Sequence, residues 1–367
     1  MPVKYLSALV LFMGLSLSCS NVSVSSQPVK TDTTIASLVY EFKDIMASDM
    51  AFIPATNNVV INHAVDVLIV DFKKNKIIKK IPSPEPDDLI QHIEVSKQGD
   101  RLLIATPTAA QVWDLKALTL IASFTSKKKS RLSGLSPDGE KLVFDQHIFD
   151  ISSRKTIMEF EPDRVPFSLA FSGEGRYLVT DGHISGASVI DIKSKKQLKT
   201  IFENGMQQIR FKDFRSFYIA AGSKLLPKSG GYYSDAISLY SLDDLKRSHH
   251  YTSSKRISCW DKLFDNKILV TKIDGSIDLL TPQLLSEKTW TPGIKITACV
   301  SGTAHRVWMA SEKSGVYLLN IKSGEIIKFI EAINDPAHLI LSDDNKYLGI
   351  VKSVKDGSHI NIFSIPN

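Results

Sequence analysis

The sequence predicts an all-β chain built from one repeated four-strand unit, on three observations. A tight turn opened by serine recurs, a strand apolar on both faces follows it, and a small polar residue closes a later strand at a steady interval. The turns are Ser96-Lys97-Gln98-Gly99, Ser136-Pro137-Asp138-Gly139, Ser172-Gly173-Glu174-Gly175 and Ser342-Asp343-Asp344-Asn345. Proline presets φ near the start of such a turn, and Gly or Asn at its end accepts positive φ, so each reads as a hairpin connection. The strands that follow include Leu102-Leu103-Ile104, Leu142-Val143-Phe144 and Tyr177-Leu178-Val179, with Ile268-Leu269-Val270 and Val307-Trp308-Met309 of the same kind. Successive side chains point to opposite faces, so strands like these must be covered on both sides.

The interval comes from the third strand of each unit. Asp71, Asp114, Asp150, Asp191, Ser241, Thr281, Asn320 and Ser364 all follow an apolar run. Their seven intervals average about 42 residues, and a period of this size with four strands per unit predicts a β-propeller. Eight marks give eight blades, or seven if one weak unit is discounted. The last unit ends after its third strand, which would leave an unpaired edge. Ser37-Leu38-Val39-Tyr40-Glu41-Phe42 has the alternation of a fourth strand. The N-terminal strand is therefore expected to close the last blade.

The N-terminus carries a different signal. In Met1–Ser20, a lysine precedes an apolar run from Leu6 to Leu17 that ends in small residues at Cys19. The run is too short for the roughly twenty residues of a membrane-spanning helix and has the pattern of a secretory signal. Ser20 to Thr33 is polar and rich in Ser and Thr, the composition of a flexible tether. The expected organisation is a signal peptide over 1–19, a tether over 20–33 and one propeller over 34–367. With 45 basic and 39 acidic residues the net charge is +6, too mild to indicate a nucleic-acid partner.

No linear catalytic or cofactor motif stands out, so no cofactor is expected and the residues of interest are positional. Asp145-Gln146-His147 and Asp181-Gly182-His183 follow the second strands of adjacent units. Carboxylate and imidazole together could hold zinc or act as acid and base, although Asp in a tight turn is also ordinary turn chemistry. The insertion Ser223 to Asp235 in the fifth unit offers Lys228, Tyr232, Tyr233 and Asp235 as a candidate partner-binding loop on the same face. On the opposite face the turns after the third strands carry Lys73, Lys74, Lys76, Arg154, Lys155, Lys193, Lys195 and Lys196. Such a basic face could meet anionic headgroups, lipopolysaccharide or an acidic partner. Cys259 and Cys299 lie on neighbouring first strands with opposite parity, which permits a disulfide. Sheets about 10 Å apart favour two free buried thiols instead.

Two resemblances add to these readings. Leu15-Ser16-Leu17-Ser18-Cys19 resembles the lipobox of bacterial lipoproteins, which implies lipidation of Cys19 and, with Ser20 next, sorting to the outer membrane; an ordinary signal peptide cleaved near Ser18 or Ser20 is the alternative. The Ser136-Pro137-Asp138-Gly139 turn and the Trp113-Asp114 pair resemble WD40-type and related bacterial propellers, and Val316 to Glu325 is similar to the repeat of quinoprotein-like propellers. The propeller resemblance implies a fold only. The rigid repeat body, the lipid anchor that the lipobox resemblance implies, the Tyr-bearing insertion and the lack of a catalytic motif together lead to the expectation of a lipid-anchored periplasmic scaffold for envelope proteins. A propeller enzyme, or a module binding glycan or lipopolysaccharide at its loop face, is the alternative.

Overall fold

The computed structural model describes residues 23–25, 29–32, 37–44, 47–127, 129–130, 132–160, 168–181, 186–202, 208–222, 224–225, 232–303, 305–311, 315–330, 336–354 and 357–365. Within them the chain forms eight four-stranded antiparallel sheets and no helix. Blades 1 to 7 cover residues 49–82, 92–125, 133–159, 169–201, 208–252, 257–290 and 296–330. Blade 8 is made of Pro336–Leu341, Tyr347–Val354 and Gly357–Ser364, with Ser37–Asp44 as its fourth strand. That strand runs antiparallel to Gly357–Ser364, from Ser37 opposite Ser364 to Asp44 opposite Ser358. Both ends of the propeller are thus zipped into one sheet, as the unpaired edge required. First strands of neighbouring blades touch one another around the axis.

The recurrent serine turns work through two bonds each. The amides of Gly99, Gly139, Gly175 and Asn345 donate to the carbonyls of Ser96, Ser136, Ser172 and Ser342, in every case at 2.8 Å. Those four residues have φ of 73°, 71°, 68° and 54°. Each serine hydroxyl then accepts the amide that opens the next strand, from Arg101, Lys141, Tyr177 and Tyr347. All four serines are buried, so the hydroxyl supplies an acceptor where water cannot.

The residues that set the interval cap the following turn. Asp114 Oδ1 accepts the amides of Lys116 and Ala117 at 2.8 Å, and Asp71 and Asn320 repeat the arrangement. Four residues further on the chain turns through positive φ at Asn75, Leu118, Arg154, Lys195, Leu245 and Gly324. At Gly324 space as well as φ demands glycine, because a Cβ would stand 2.7 Å from the Trp290 indole nitrogen. The backbone amides hold the carboxyls of Asp71, Asp114 and Asp150 below the usual carboxylate range. For Asp191 the larger cause is Arg176, whose Nη2 lies 2.9 Å from Oδ2.

Burial follows the two-faced strands. The described core is a ring of eight clusters, each shared by two neighbouring blades. Between blades 1 and 2, Val60, Val67 and Ile69 meet Ile93, Leu102 and Ile104, while the alternate residues Val59, Ile61 and Leu68 face blade 8.

Two expectations are corrected. The segment read as a tether does not hang free where it is described. Ser23–Ser25 pairs in parallel with the outermost strand of blade 6, and Lys30–Thr31 with that of blade 7. Outer edges offer unpaired amides and carbonyls, and Lys30 Nζ adds an ion pair to Glu325 at 2.6 Å. The second correction concerns Cys259 and Cys299, which form a disulfide with Cα atoms 6.2 Å apart. Both lie on first strands, where blades converge on the axis, so the spacing of parallel stacked sheets does not apply.

Two outcomes follow for stability. Cys259→Ser, or reduction, should cost about 2–4 kcal/mol in urea unfolding. The folded carboxyl of Asp191 titrates below its unfolded value, so its contribution is present above the ordinary carboxylate range and lost as pH falls through the folded value. Asp191→Asn should therefore lower the urea midpoint at pH 7, with the gap to wild type closing below about pH 4.

Candidate functional site

Strand order sorts the connections onto two faces. The turns between first and second and between third and fourth strands form one, here the turn face. The connections between second and third strands and between blades form the other, the loop face.

On the loop face Asp145 has φ of 58° and occupies the turn between Lys141–Phe144 and His147–Asp150. Its Oδ2 accepts the Ser126 hydroxyl at 2.8 Å, which ties blade 3 to the end of blade 2. The His147 ring stacks on Phe149, and its Nε2 lies 3.9 Å from Glu159 Oε1. The backbone of Asp181 pairs with Ala187 at the equivalent turn of blade 4. The side chain of Asp181, and all of His183, lie outside the described residues. No group of three or more His, Cys, Asp or Glu is arranged to hold a metal among the described residues.

The insertion of blade 5 folds as a small hairpin, Lys224–Leu225 against Tyr232–Tyr233. Lys228 lies outside the described residues, as do the side chains of Tyr232 and Tyr233 and the whole of Cys19. Asp235 departs from expectation. It is fully buried, its amide bonded to Ala221 and its carbonyl to Ser253, because the third strand of the blade begins beside it. It belongs to the blade and not to a contact loop.

The basic residues stand on the turn face, and all eight are exposed. Several are engaged by the fold: Lys73 lies over the Tyr347 ring, Lys74 pairs with Asp71, and Arg154 donates to the Ile121 carbonyl.

The axial channel holds what a motif scan does not find. A cavity of about 500 Å³ lies among the first strands of blades 2, 3 and 4, and one of about 840 Å³ among blades 4 to 7 opens at the turn face. In the larger one Asp261 Oδ2 accepts the amide and hydroxyl of Ser301, at 2.7 and 2.8 Å. Its Oδ1 is 3.5 Å from Arg210 Nη2, and the Arg210 guanidinium lies over the Trp260 ring. Glu94 repeats the device, accepting the Leu135 amide at 2.8 Å. A first strand has no neighbour on its axial side, and the carboxylate of the preceding blade takes up the free amide.

Lys262 Nζ donates to the Lys212 carbonyl at 3.1 Å, joining the first turns of blades 5 and 6. Burial lowers its pKa, against the pull of Asp213 and Asp261. In those same turns Phe214 is 61% exposed and Phe264 83%. On the first strand of blade 1, burial raises the pKa of Asp49, opposed by the bond its carboxylate accepts from the Met50 amide and by His338 and His92. The arrangement is a polar concavity with a cationic wall and an apolar rim, suited to binding. In the sequence its trace is the alternation Gln208, Arg210, Lys212 along a first strand and into its turn, polar at period two where the next strand, Ser216–Ala221, is largely apolar.

No protein family model matches the chain, and no curated protein is significantly similar to it. Solved structures do match. The C-terminal WD40 domain of Sif2 superposes with a TM-score of 0.72 at 13% identity, over 92% of this chain and 99% of that one. The β-propeller domain of Myceliophteria thermophila Cps50 (Swd1) gives 0.58 at 14% identity, over 90% and 100%. At such identities the likeness is one of fold: this chain has an eight-bladed β-propeller fold.

Asp261→Ala would orphan the Ser301 amide and leave Arg210 without its carboxylate. The variant is expected to lose about 1–3 kcal/mol in urea unfolding while keeping its disulfide.

Proposed function

We propose that this chain is a membrane-anchored propeller lipoprotein of the bacterial cell envelope, held by Cys19 at the outer membrane and facing the periplasm, where it serves as a scaffold for envelope proteins. The signal-like run before Cys19 supports the anchor, and the rigid ring of blades supports the scaffold. The observation that carries the reading is the pair Phe214 and Phe264, two aromatic rings largely in water on the first turns of neighbouring blades, of which Phe214 lines the cavity mouth with Arg215 over its ring. Burying a phenylalanine against a partner contributes about 1.5–3 kcal/mol, and aromatic residues, phenylalanine among them, are enriched in the cores of protein interfaces. The Tyr232–Tyr233 hairpin on the loop face is a second contact surface in this reading.

In-cell crosslinking from envelope fractions tests it. Wild type should recover a defined protein set, and Phe214→Ser with Phe264→Ser should lose members of it without a change in melting temperature. Tyr232→Ala with Tyr233→Ala reports on the other face. Cys19→Ala should move the chain from the membrane to the soluble fraction. An unchanged protein set from the phenylalanine variant, or a soluble wild type, would overturn the corresponding half of the reading.

A further inference from the structure

Six of the eight blades, 1 to 6, carry a β-bulge just after the turn into the fourth strand, and it re-aims one side chain. In blade 1 the register runs Val70 with Ile77 and Ile69 with Lys79, so Ile78 is the extra residue. The corresponding residues of blades 2 and 3 are Ile121 and Ile157. Both pack into the cluster shared with the next blade and seal the gap. Between blades 1 and 2 the gap stays open. Ile78 is 41% exposed and lines a groove of about 500 Å³ on the turn face.

The floor of the groove is apolar, made by Ile53, Pro54, Ile69, Leu115 and Leu118. Gly99 closes its inner end, where a Cβ would stand 3.0 Å from Pro54. Thr56, Asn58 and Gln98 add neutral hydrogen-bonding groups to the wall. The rim is basic. Lys76 and Lys79 pair with Asp71 and Ile69 across the strands and so share their side of the sheet, which faces blade 2. Lys116 lines the groove from blade 2. Among the described residues none of these three pairs with a carboxylate. The acids nearby are committed: Asp71 to the amides of Lys73 and Lys74 and to the Lys74 side chain, Asp100 and Asp114 to Arg101.

We propose that this groove binds an extended, acidic segment of a partner protein, with apolar side chains seated on Ile78 and the floor and carboxylates on Lys76, Lys79 and Lys116. Charge complementarity sets the sign of the partner. The shape of the cleft sets its class: a single strand enters a gap between two sheets, whereas a flat anionic bilayer touches only the rim. The inference shares with the scaffold reading only the premise that the partner is a protein, and it uses a different surface.

The test uses the full-length protein in detergent with a fluorescein-labelled nonapeptide alternating leucine and aspartate, followed by anisotropy. The peptide is expected to bind, and to bind more weakly as salt is raised. Ile78→Glu, and separately Lys76→Glu with Lys116→Glu, should each weaken it about tenfold or more at unchanged melting temperature. Lys193→Glu, on the blade 4 turn, should leave it unchanged. Absence of binding, equal binding of a leucine–lysine peptide, or an equal loss with Lys193→Glu would overturn the proposal. So would phosphatidylglycerol vesicles binding through Lys116 while the peptide does not bind, which would make the face a membrane surface. The crosslinking result for Phe214 and Phe264 is independent of all of these.

Discussion

Everything in this molecule depends on sheets that are apolar on both faces. Val59 and Val60 are consecutive and both fully buried, and Leu102, Leu103 and Ile104 extend the pattern. A blade with two such faces cannot be stable alone, because each buried aliphatic side chain is worth about 1.5–3 kcal/mol only while a neighbour covers it. Neighbours on both sides impose a ring, and a ring must close. Closure falls to Ser37–Asp44, which removes the open edge of blade 8 and locks the N-terminal strand against the end of the chain.

Convergence of the blades creates the channel and its chemistry together. First strands come close enough for Cys259 and Cys299 to bond, and their axial edges present amides with no sheet partner. Asp261 and Glu94 take up two of those amides across adjacent blades. Carboxylates placed in the channel for this purpose draw in Arg210, and the neighbouring first turns bring Lys262 toward the same mouth. The polar cavity is thus a consequence of satisfying strand edges, and its cationic wall comes with it.

The two faces differ for related reasons. Turns on one face are short and held by repeated serine and aspartate caps, so variation there is confined to side chains. Phe214, Phe264 and the lysines of blades 1 and 2 are such variations on a constant backbone. The loop face tolerates length, and the blade 5 insertion exploits it. The fold is shared with the Sif2 WD40 domain and the Cps50 propeller domain at 13% and 14% identity, and a shared fold by itself assigns these surface side chains no role.

The repeat, the blade count and the closing strand were all legible from the chain, because each rests on local physics. A serine that must accept an amide, an aspartate that must cap a turn and an apolar pair that must be covered leave their marks at fixed spacing. The basic turns were legible for the same reason. What the tertiary structure decided depends on distances between blades. The disulfide hinges on how closely first strands converge, the burial of Asp235 on where a strand begins, and the pairing of Ser23–Ser25 and Lys30–Thr31 on free outer edges far along the chain. The channel cluster of Arg210, Asp261, Lys262 and Ser301 draws on three blades, and the groove at Ile78 on one bulge that fails to meet its neighbour. Spacing along one chain records what each unit needs for itself, and only closure of the ring fixes which units meet.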